Sequence, residues 1–376
     1  MLQDALRSGP VWALGTMSGT SLDGVDAAIV LTDGDRIFDF GATAYRPYSE
    51  AEREILRAAL GRWEGLDAAT EIVEAAHLEV LGGMSGADVI GFHGQTTAHD
   101  PASRRTCQIG DGMRLANGLD CPVVWDFRSA DVAAGGQGAP LAPFFHHAAV
   151  RFAGLRDPVA VLNLGGVGNL TWLDPRIADP AEPEACLAFD TGPANAPLDD
   201  LMRSRRGAAR DEGGAVAAQG VPDPGLLAQL AAHPYFAGRP PKSLDRDAFG
   251  WLVDAASGLS DADAAATLTR AAVDSVVMGL CHCPHRPSRI LVTGGGRRNE
   301  TLMRMLAAAT GLPVQRVEAV GLDGDMLEAQ AFALLAVRVL RGWPISAPGT
   351  TGVAAPLCGG RLSTPEHRVG GALRRA

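Results

Sequence analysis

The feature that most constrains the fold is a pattern that occurs twice, once near the start of each half of the chain. An apolar run, a Gly-rich turn and a second apolar run follow one another in VWALGTMSGTSLDGVDAAIVLT, from residue 11, and in PVAVLNLGGVGNLTWL, from residue 158. In each half, further strand-like runs then alternate with segments of helical periodicity. The pattern predicts a duplicated α/β architecture with a cleft between the two halves.

Length and local composition divide the chain into two domains. Its 376 residues exceed what one ordinary core organises. The stretch VAAGGQGAPLAP, residues 132–143, is rich in Gly, Ala and Pro, and we expect the boundary between the halves there. Helical periodicity predicts helices over residues 49–60, 67–82 and 261–281, and another that begins near Asn299.

Composition and charge exclude several kinds of partner. The formal net charge of −10 does not supply the basic surface that nucleic-acid binding needs. No apolar run reaches membrane-spanning length, and the opening MLQDALRSGP lacks the apolar core of a secretory signal. Six cysteines scattered over a long chain are typical of reduced thiols. We therefore expect a cytoplasmic protein that binds neither nucleic acid nor membrane.

The first Gly-rich turn offers main-chain amides and hydroxyls but no basic side chain, and such groups can surround a phosphate without a lysine. Asp23 and Asp26 would repel a bare phosphate, so they indicate a Mg²⁺ ion between, held directly or through water. An Asp-Gly hairpin turn explains the same residues equally well. The residues predicted to bind phosphate here are Gly19, Thr20, Ser21, Leu22, Asp23, Gly24, Val25 and Asp26.

Two later Gly-rich turns strengthen the phosphate interpretation. The turn NLGGVGN contributes Gly165, Gly166 and Asn169, and its matching place in the second half suggests that two hairpins hold one polyphosphate. The turn TGGG contributes Gly294, Gly295 and Gly296 just before Asn299, and glycine amides there can approach a flat ring or a ribose closely. Each turn alone is also compatible with an ordinary turn between regular elements.

Asp190 is the preferred general base. It stands at the polar end of the apolar strand in AFDTGPAN, and the carboxyl ends of strands face the ligand cleft in an α/β sheet. Proton abstraction needs an acceptor held rigidly near the nucleophile. An N-cap for the following helix is the competing interpretation of Asp190, and locally it is at least as good.

A set of polar side chains at other strand ends suits a sugar, whose hydroxyls need paired donors and acceptors. Among them, Arg128 can hold a carboxylate through two hydrogen bonds. Taken singly, each is equally compatible with a surface or internally satisfied residue. The set comprises His93, Gln95, Thr97, Arg128, Asp131 and Glu328.

Taken together, these motifs resemble the anhydro-N-acetylmuramic acid kinases, a branch of the actin, hexokinase and sugar-kinase superfamily. The resemblance spans nearly the whole chain, with the similar blocks in the same order. They are GTMSGTSLDGVDAA, GFHGQTTAHDP, DFRSADVAAGGQGAPLAP, NLGGVGN, FDTGPAN, TGGGRRNETLM and GDMLEAQAFALLA.

The resemblance implies a ribonuclease-H-like α/β fold of two lobes with mixed sheets and ATP in the cleft between them. The N-terminal lobe would comprise residues 1–137 and about 345–376, and the C-terminal lobe 138–344. ATP, Mg²⁺, a small amino-sugar substrate and a homodimer are implied as well.

The resemblance also implies residue roles and a reaction. Gly19 to Asp26 would hold the phosphates, Asp190 would be the catalytic aspartate, and the sugar would contact Thr97, Arg128 and Glu328. The implied reaction hydrolytically opens 1,6-anhydro-N-acetylmuramic acid and phosphorylates it to N-acetylmuramic acid 6-phosphate, in the recycling of cell-wall sugars. Another sugar kinase of the superfamily, or an ATPase clamp like actin or the chaperones, is the alternative.

Two departures from the family pattern put local details in doubt. Ala194 stands where the family has a glycine, and a positive φ there would be strained. Leu244 and Asp245 replace a hydroxyl residue and a glycine in KSLDRDAF. The departures question any ligand contact at these positions but leave the central chemistry unchanged.

Overall fold

The structure, a computed structural model, describes residues 6–366. Its strands are β1 Val11–Ser18, β2 Gly24–Thr32, β3 Ile37–Pro47, β4 Val89–Asp100, β5 Arg105–Ile109, β6 Val123–Trp125, β7 Val159–Leu164, β8 Val167–Leu173, β9 Cys186–Pro193, β10 Ile290–Thr293, β11 Val314–Arg316 and β12 Arg361–Ser363. Its α-helices are α1 Glu50–Ala59, α2 Asp67–Gly82, α3 Gly112–Leu119, α4 Ser129–Ala133, α5 Pro143–Phe152, α6 Asn195–Arg206, α7 Pro224–Ala231, α8 Trp251–Ala255, α9 Asp261–Leu280, α10 Glu300–Thr310, α11 Leu327–Leu340 and α12 Pro348–Thr351.

The predicted helices are confirmed to within a residue or two. The helix α1 begins after Ser49, whose side chain forms a capping box with Glu52. The helix α10 begins after Asn299, whose side chain accepts the main-chain N–H of Leu302 at 2.9 Å. Local capping chemistry therefore sets these two starts.

The first compact unit comprises residues 6–145, 328–346 and 353–366 of the described chain. Its sheet has the order β12-β6-β4-β1-β2-β3, with β5 paired to β4. The strands β1, β2 and β3 form an antiparallel meander, whereas β1, β4 and β6 run parallel. The predicted mixed sheet is thus confirmed in this unit.

Two glycines let helix α11 lie directly against this sheet. A Cβ on Gly15 of β1 would overlap the main-chain oxygen of Ala329, and one on Gly91 of β4 would overlap that of Phe332. Main chain thus contacts main chain, an approach that only glycine allows. The contact makes α11 part of the first unit.

The second compact unit comprises residues 146–327 and 347–352. Its sheet has the order β11-β10-β7-β8-β9. The strands β7, β8 and β9 are antiparallel, and β7, β10 and β11 are parallel, so each unit begins with the same antiparallel meander. The repeated strand, turn and strand in the sequence corresponds to these two meanders, which confirms the prediction of two α/β units.

The bounds of the two units differ from the predicted lobes in three places, one of which is residues 347–352, predicted for the N-terminal lobe but part of the second unit. Residues 138–145 belong to the first unit, where Phe144 is buried beneath the guanidinium of Arg338. Residues 328–344, predicted for the C-terminal lobe, also belong to the first unit because α11 packs on its glycines. Residues 1–5 and 367–376 of the predicted lobe lie outside the described residues. Within residues 6–366, none of the helices has the length and apolarity needed to cross a membrane.

Candidate active site

The first Gly-rich turn joins β1 to β2 and is held in an unusual backbone conformation. The N–H of Leu22 donates to the carbonyl of Gly19 at 3.1 Å, which closes the turn. Leu22 has a φ of 58°, a backbone conformation that is strained for a bulky side chain. Its side chain is 4% exposed and belongs to the core. Burial of Leu22 therefore holds the turn open, with Thr20 and Ser21 exposed to solvent.

Buried polar contacts tie this turn to the neighbouring strand. The hydroxyl of Ser18 donates to Oε1 of Gln95 at 2.5 Å and lies 3.0 Å from the phenol of Tyr48. The Nε2 of Gln95 donates to the carbonyl of Gly19 at 3.3 Å. Gln95, predicted to bind sugar, is buried and uses both ends of its amide within the protein. These contacts favour a role in supporting the first Gly-rich turn.

The two aspartates of this turn lie around one phenol. Burial raises the pKa of Tyr45, and the carboxylates of Asp23 and Asp26 raise it further. The Tyr45 hydroxyl donates to the main-chain oxygen of Asp23 at 3.0 Å. Between the aspartates, Gly24 leaves no room for a Cβ beside the carbonyl of Arg46, and the side chain of Val25 is fully buried. Asp23 is exposed and Asp26 half-buried, beside the buried Val25.

Arg128 is fixed by an acceptor on each side. Its Nε donates to Nε2 of His93 at 2.9 Å, and its Nη1 donates to the carbonyl of Gly138 at 2.6 Å. His93 must therefore carry its proton on Nδ1, which lies 2.8 Å from the carbonyl of Gly94. Burial, and then the Arg128 charge, hold the pKa of His93 well below its usual range. The neutral imidazole orients the guanidinium and leaves Nη2 without a hydrogen-bond partner among residues 6–366.

Two acidic residues complete the surroundings of Arg128. Asp131 is buried and accepts the N–H of Gly138 at 2.6 Å, so it shapes the loop whose carbonyl binds Arg128. Burial lowers the pKa of Arg128 to about 10, against the opposing attraction of Glu328 and Asp131. Glu328 keeps part of its surface exposed to solvent, although protein atoms surround its carboxylate. Their desolvating effect raises the pKa of Glu328, and the charge of Arg128 lowers it.

The structure places four of the predicted sugar-binding residues together. His93, Arg128 and Asp131 are joined through hydrogen bonds, and Glu328 acts on Arg128 electrostatically. Thr97 lies further along β4, and its buried hydroxyl has no hydrogen-bond partner in the described part of the chain. An unsatisfied buried hydroxyl is costly, so Thr97 is a candidate for a partner that the protein itself does not supply.

In the second unit, the turn between β7 and β8 is attached to the start of α6. The carbonyl of Gly166 accepts from the N–H groups of Ala194 and Ala196, both at 3.1 Å. The carbonyl of Gly165 accepts from the N–H of Asn195 at 3.0 Å. These bonds occupy the carbonyl oxygens of Gly165 and Gly166 at the start of α6. The remaining polar groups of the turn are therefore the ones available to a ligand.

Asp190 is held at both carboxylate oxygens. Its Oδ1 accepts from Nδ2 of Asn169, and its Oδ2 accepts from the N–H of Leu244, each at 2.8 Å. Burial raises the pKa of Asp190, while these two hydrogen bonds lower it. The N-cap interpretation is wrong, because α6 is preceded by Ala194 and has no side-chain cap. Asp190 is thus a fixed, desolvated carboxylate that does not cap a helix.

The structure describes the backbone at two of the residues that depart from the family pattern, Ala194 and Leu244. Ala194 has a φ of −128°, so the strain of a positive φ does not arise there. Leu244 contacts Asp190 through its main-chain N–H, so the identity of its side chain does not decide that bond. The amide of Asn169, predicted to bind ATP, is directed to Asp190 instead of a free position.

The third Gly-rich turn lines a cavity of about 130 Å³. Gly294 has a φ of 72°, and a Cβ on it would overlap Oδ1 of Asn163. Gly295, Gly296 and Asn299 line the cavity, although the Asn299 side chain also caps α10. The sequence analysis missed the other polar residues of its wall, which lie on α6, on the loop after α6 and next to the glycines, and which share no contiguous motif. They are Asn195, Asp199, Arg210, Asp211, Glu212 and Arg298.

The chain matches a known family along most of its length. The sequence model of the anhydro-N-acetylmuramic acid kinases matches residues 11–364. The chain belongs to this family. A relative from Cereibacter sphaeroides named anhydro-N-acetylmuramic acid kinase is 65% identical over 96% of this chain and 98% of its own length. A relative of the same name from Ruegeria sp. is 59% identical over 96% of each chain.

Solved structures that align with this chain are more distant in sequence. A ROK family glucokinase from Streptomyces griseus, in complex with glucose and AMPPNP, is 14% identical. It covers 86% of this chain and 98% of its own, with a TM-score of 0.40. Membership of the anhydro-N-acetylmuramic acid kinases therefore rests on sequence.

Proposed function

We propose that the enzyme hydrolytically opens 1,6-anhydro-N-acetylmuramic acid and transfers the γ-phosphoryl group of ATP to it. The products are N-acetylmuramic acid 6-phosphate and ADP, and the reaction belongs to the recycling of peptidoglycan sugars. The observation that carries this proposal is the doubly held Asp190 carboxylate, in a chain that the family matches over residues 11–364. Asp190 is then the catalytic base.

Asp190 supplies the proton acceptor that this substrate requires. The anhydro sugar has no free 6-hydroxyl, because O6 is bonded to C1. Water attacks C1, the C1–O6 bond breaks, and the proton of the water passes to Asp190. The freed O6 then bonds to the γ-phosphorus as the bond to ADP breaks. Burial raises the pKa of Asp190 and so makes it a stronger base, while Asn169 and Leu244 keep it ionised and in place.

The Gly-rich turns are proposed to bind ATP. The exposed hydroxyls and amides of residues 19–21 suit phosphate oxygens, and the second turn supplies further polar groups. The cavity beside Gly295 and Gly296 is proposed for the adenosine, since glycines allow close approach of a ring or ribose.

Asp23 and Asp26 are the residues proposed to hold Mg²⁺. Two carboxylates beside one phenol are the hard oxygen donors that this ion prefers, and the described residues contain no cluster of three or more metal-ligating side chains. This set therefore fits an ion that takes its remaining ligands from phosphate oxygens and water. When bound, Mg²⁺ offsets negative charge on the transferring phosphoryl group.

Two broader expectations about the enzyme stay predictions. A cytoplasmic location agrees with the absence of disulfides within residues 6–366. A homodimer is expected from the family alone, and size measurements in solution would test it.

The course of the reaction can be followed with ¹⁸O-labelled water. If water opens the ring, ¹⁸O is expected in the anomeric hydroxyl at C1 of the 6-phosphate, while the ester oxygen stays unlabelled. Because that hydroxyl exchanges with solvent through the open-chain form, the product is analysed at short times beside unlabelled product placed in the same water. Turnover without early label at C1 would favour an ordinary hydroxyl-phosphorylating kinase.

Arg128 is proposed to bind the lactyl carboxylate of the sugar. Lysine carries its N–H donors on a single nitrogen, which cannot stand at the places of Nε, Nη1 and Nη2 at once, so Arg128→Lys should raise the KM for the sugar about 10–100-fold, from loss of a charge-assisted bond. The KM for ATP should stay within about twofold of wild type.

A substrate without the lactyl group makes the test of Arg128 specific. With 1,6-anhydro-N-acetylglucosamine, wild type and Arg128→Lys should have similar kinetics. Arg36→Lys, at an exposed surface ion pair in the same unit, is the control and should behave as wild type with both sugars. An equal penalty with both sugars would mean that Arg128 does not recognise the carboxylate.

A further inference from the structure

The strand that carries Asp190 lies at the edge of its sheet, and a separate segment covers it. In the order β11-β10-β7-β8-β9, the strand β9 has a sheet neighbour on one side only. On the other side, the N–H of Asp190 donates to the carbonyl of Lys242 at 2.9 Å. The N–H of Leu244 reaches the Asp190 carboxylate at 2.8 Å. We call residues 235–244, which make these contacts, the strap.

Tyr235, at the start of the strap, makes a third contact with the same residue. Its phenol donates to the main-chain carbonyl of Asp190 at 2.5 Å. Burial, and then the negative charge of Asp190, raise the pKa of Tyr235. The phenol therefore stays protonated and acts as a donor. The strap thus contacts the N–H, the carbonyl and the carboxylate of Asp190, while Asn169 takes the remaining carboxylate oxygen.

The ring of Tyr235 is itself firmly held. It packs edge-on against Phe236 and Phe249, at centroid distances of 5.6 and 6.0 Å. The ammonium of Lys242 lies 4.3 Å from the ring centroid and donates to the Tyr235 carbonyl at 3.1 Å. These contacts do not involve the phenol oxygen, so they survive when only that oxygen is removed.

We propose that Tyr235 is a positioning residue, which holds the main chain of Asp190 so that its carboxylate receives the proton of the attacking water. The inference rests on the proposed role of Asp190 as the base. The hydroxyl donates to the main-chain carbonyl of Asp190, the same residue that carries the reacting carboxylate. Without this hydrogen bond, the main chain of Asp190 can shift towards or away from the strap. A small shift of a base lowers the rate far more than it changes binding.

Tyr235→Phe tests the proposal, because it keeps the ring and removes the hydroxyl. We expect kcat to fall about 10–100-fold, with both KM values within about twofold of wild type. The bond from Leu244 lowers the pKa of Asp190, and a displaced main chain weakens that bond. The acidic limb of the kcat–pH profile should therefore move to higher pH, by about half a unit or more.

Ser288→Ala is the control for stability. It removes a hydroxyl that donates to the main-chain carbonyl of Pro158 at 3.0 Å in the same unit. The two variants should lose a similar amount of thermal stability, yet only Tyr235→Phe should lose kcat. If both variants had the same kcat and neither shifted the pH profile, the positioning role of Tyr235 would be overturned.

Asp190→Asn in the same series separates the two proposals. If Asp190→Asn retains most of the wild-type kcat, the assignment of the base has failed. If it is inactive while Tyr235→Phe keeps the wild-type kcat, only the role of Tyr235 has failed. In the Asp190→Asn background, Tyr235→Phe should lower the residual rate less than twofold, because no base remains to be positioned. If Tyr235→Phe lowers the rate of Asp190→Asn by the same factor as it lowers that of wild type, Tyr235 has a role independent of Asp190.

Discussion

Replacing Asp190 by asparagine should lower kcat on the order of 10³-fold and leave ATP binding nearly unchanged. Asparagine has the shape of aspartate and can still accept from Asn169, but it loses the acceptor that faces the N–H of Leu244 and it cannot take a proton from water. The expected loss is that of a general base. Steady-state ADP release with 1,6-anhydro-N-acetylmuramic acid measures kcat, and calorimetric titration with a non-hydrolysable ATP analogue measures binding.

The matched control for this prediction is Asp274→Asn. Asp274 lies on α9 in the same unit and forms an accessible ion pair with Arg270, so its loss should leave kcat within about twofold of wild type. If Asp190→Asn retains a tenth or more of the wild-type kcat while binding ATP normally, Asp190 is not the base.

Replacing Gly15 by alanine should produce the largest loss of stability among conservative changes in the first unit. The new methyl group would overlap the main chain of α11 at Ala329 and Ala333, which cannot rotate away as a side chain can. The helix must then move off the sheet, and we expect the free energy of unfolding to fall by on the order of 3 kcal/mol. Urea denaturation followed by circular dichroism measures this change.

Gly82→Ala is the control for the glycine contact. At this helical glycine a Cβ would lie 3.9 Å from its nearest neighbour, Cδ2 of Leu119, so alanine should be neutral or slightly stabilising. Gly15→Ala and Gly82→Ala with the same denaturation midpoint would show that α11 does not lie directly against β1.

Several site residues were predictable because their motifs are contiguous. The Gly-rich turns and the strand that carries Asp190 are visible in short stretches of sequence, and the structure confirms the turns, although β9 continues past Asp190 to Pro193. Arg128 and His93 were both predicted at strand ends, but His93 lies within β4, and its hydrogen bond joins it to Arg128, which follows β6, 35 residues later. No local pattern announces such a pair.

Roles that depend on contacts between distant segments were not predictable. Asn169 was predicted to bind ATP, and its further role, the hydrogen bond from its amide nitrogen to Asp190 on the neighbouring strand, has no signal in the local sequence. Tyr235 and Leu244 follow Asp190 by 45 and 54 residues, in a segment without periodicity, and still make its closest contacts. The length of chain between these groups carries no information about which of them meet.

The sequence by itself determined the two α/β units, their opening meanders and the family, because strand alternation, turn glycines and caps act over a few neighbouring residues. Only the tertiary structure decided which carbonyl orients Arg128, which groups hold Asp190, and that helix α11 belongs with the first sheet. Those outcomes depend on close approach between segments far apart in the chain. Such approach is governed by packing and by the need of each buried polar group for a partner.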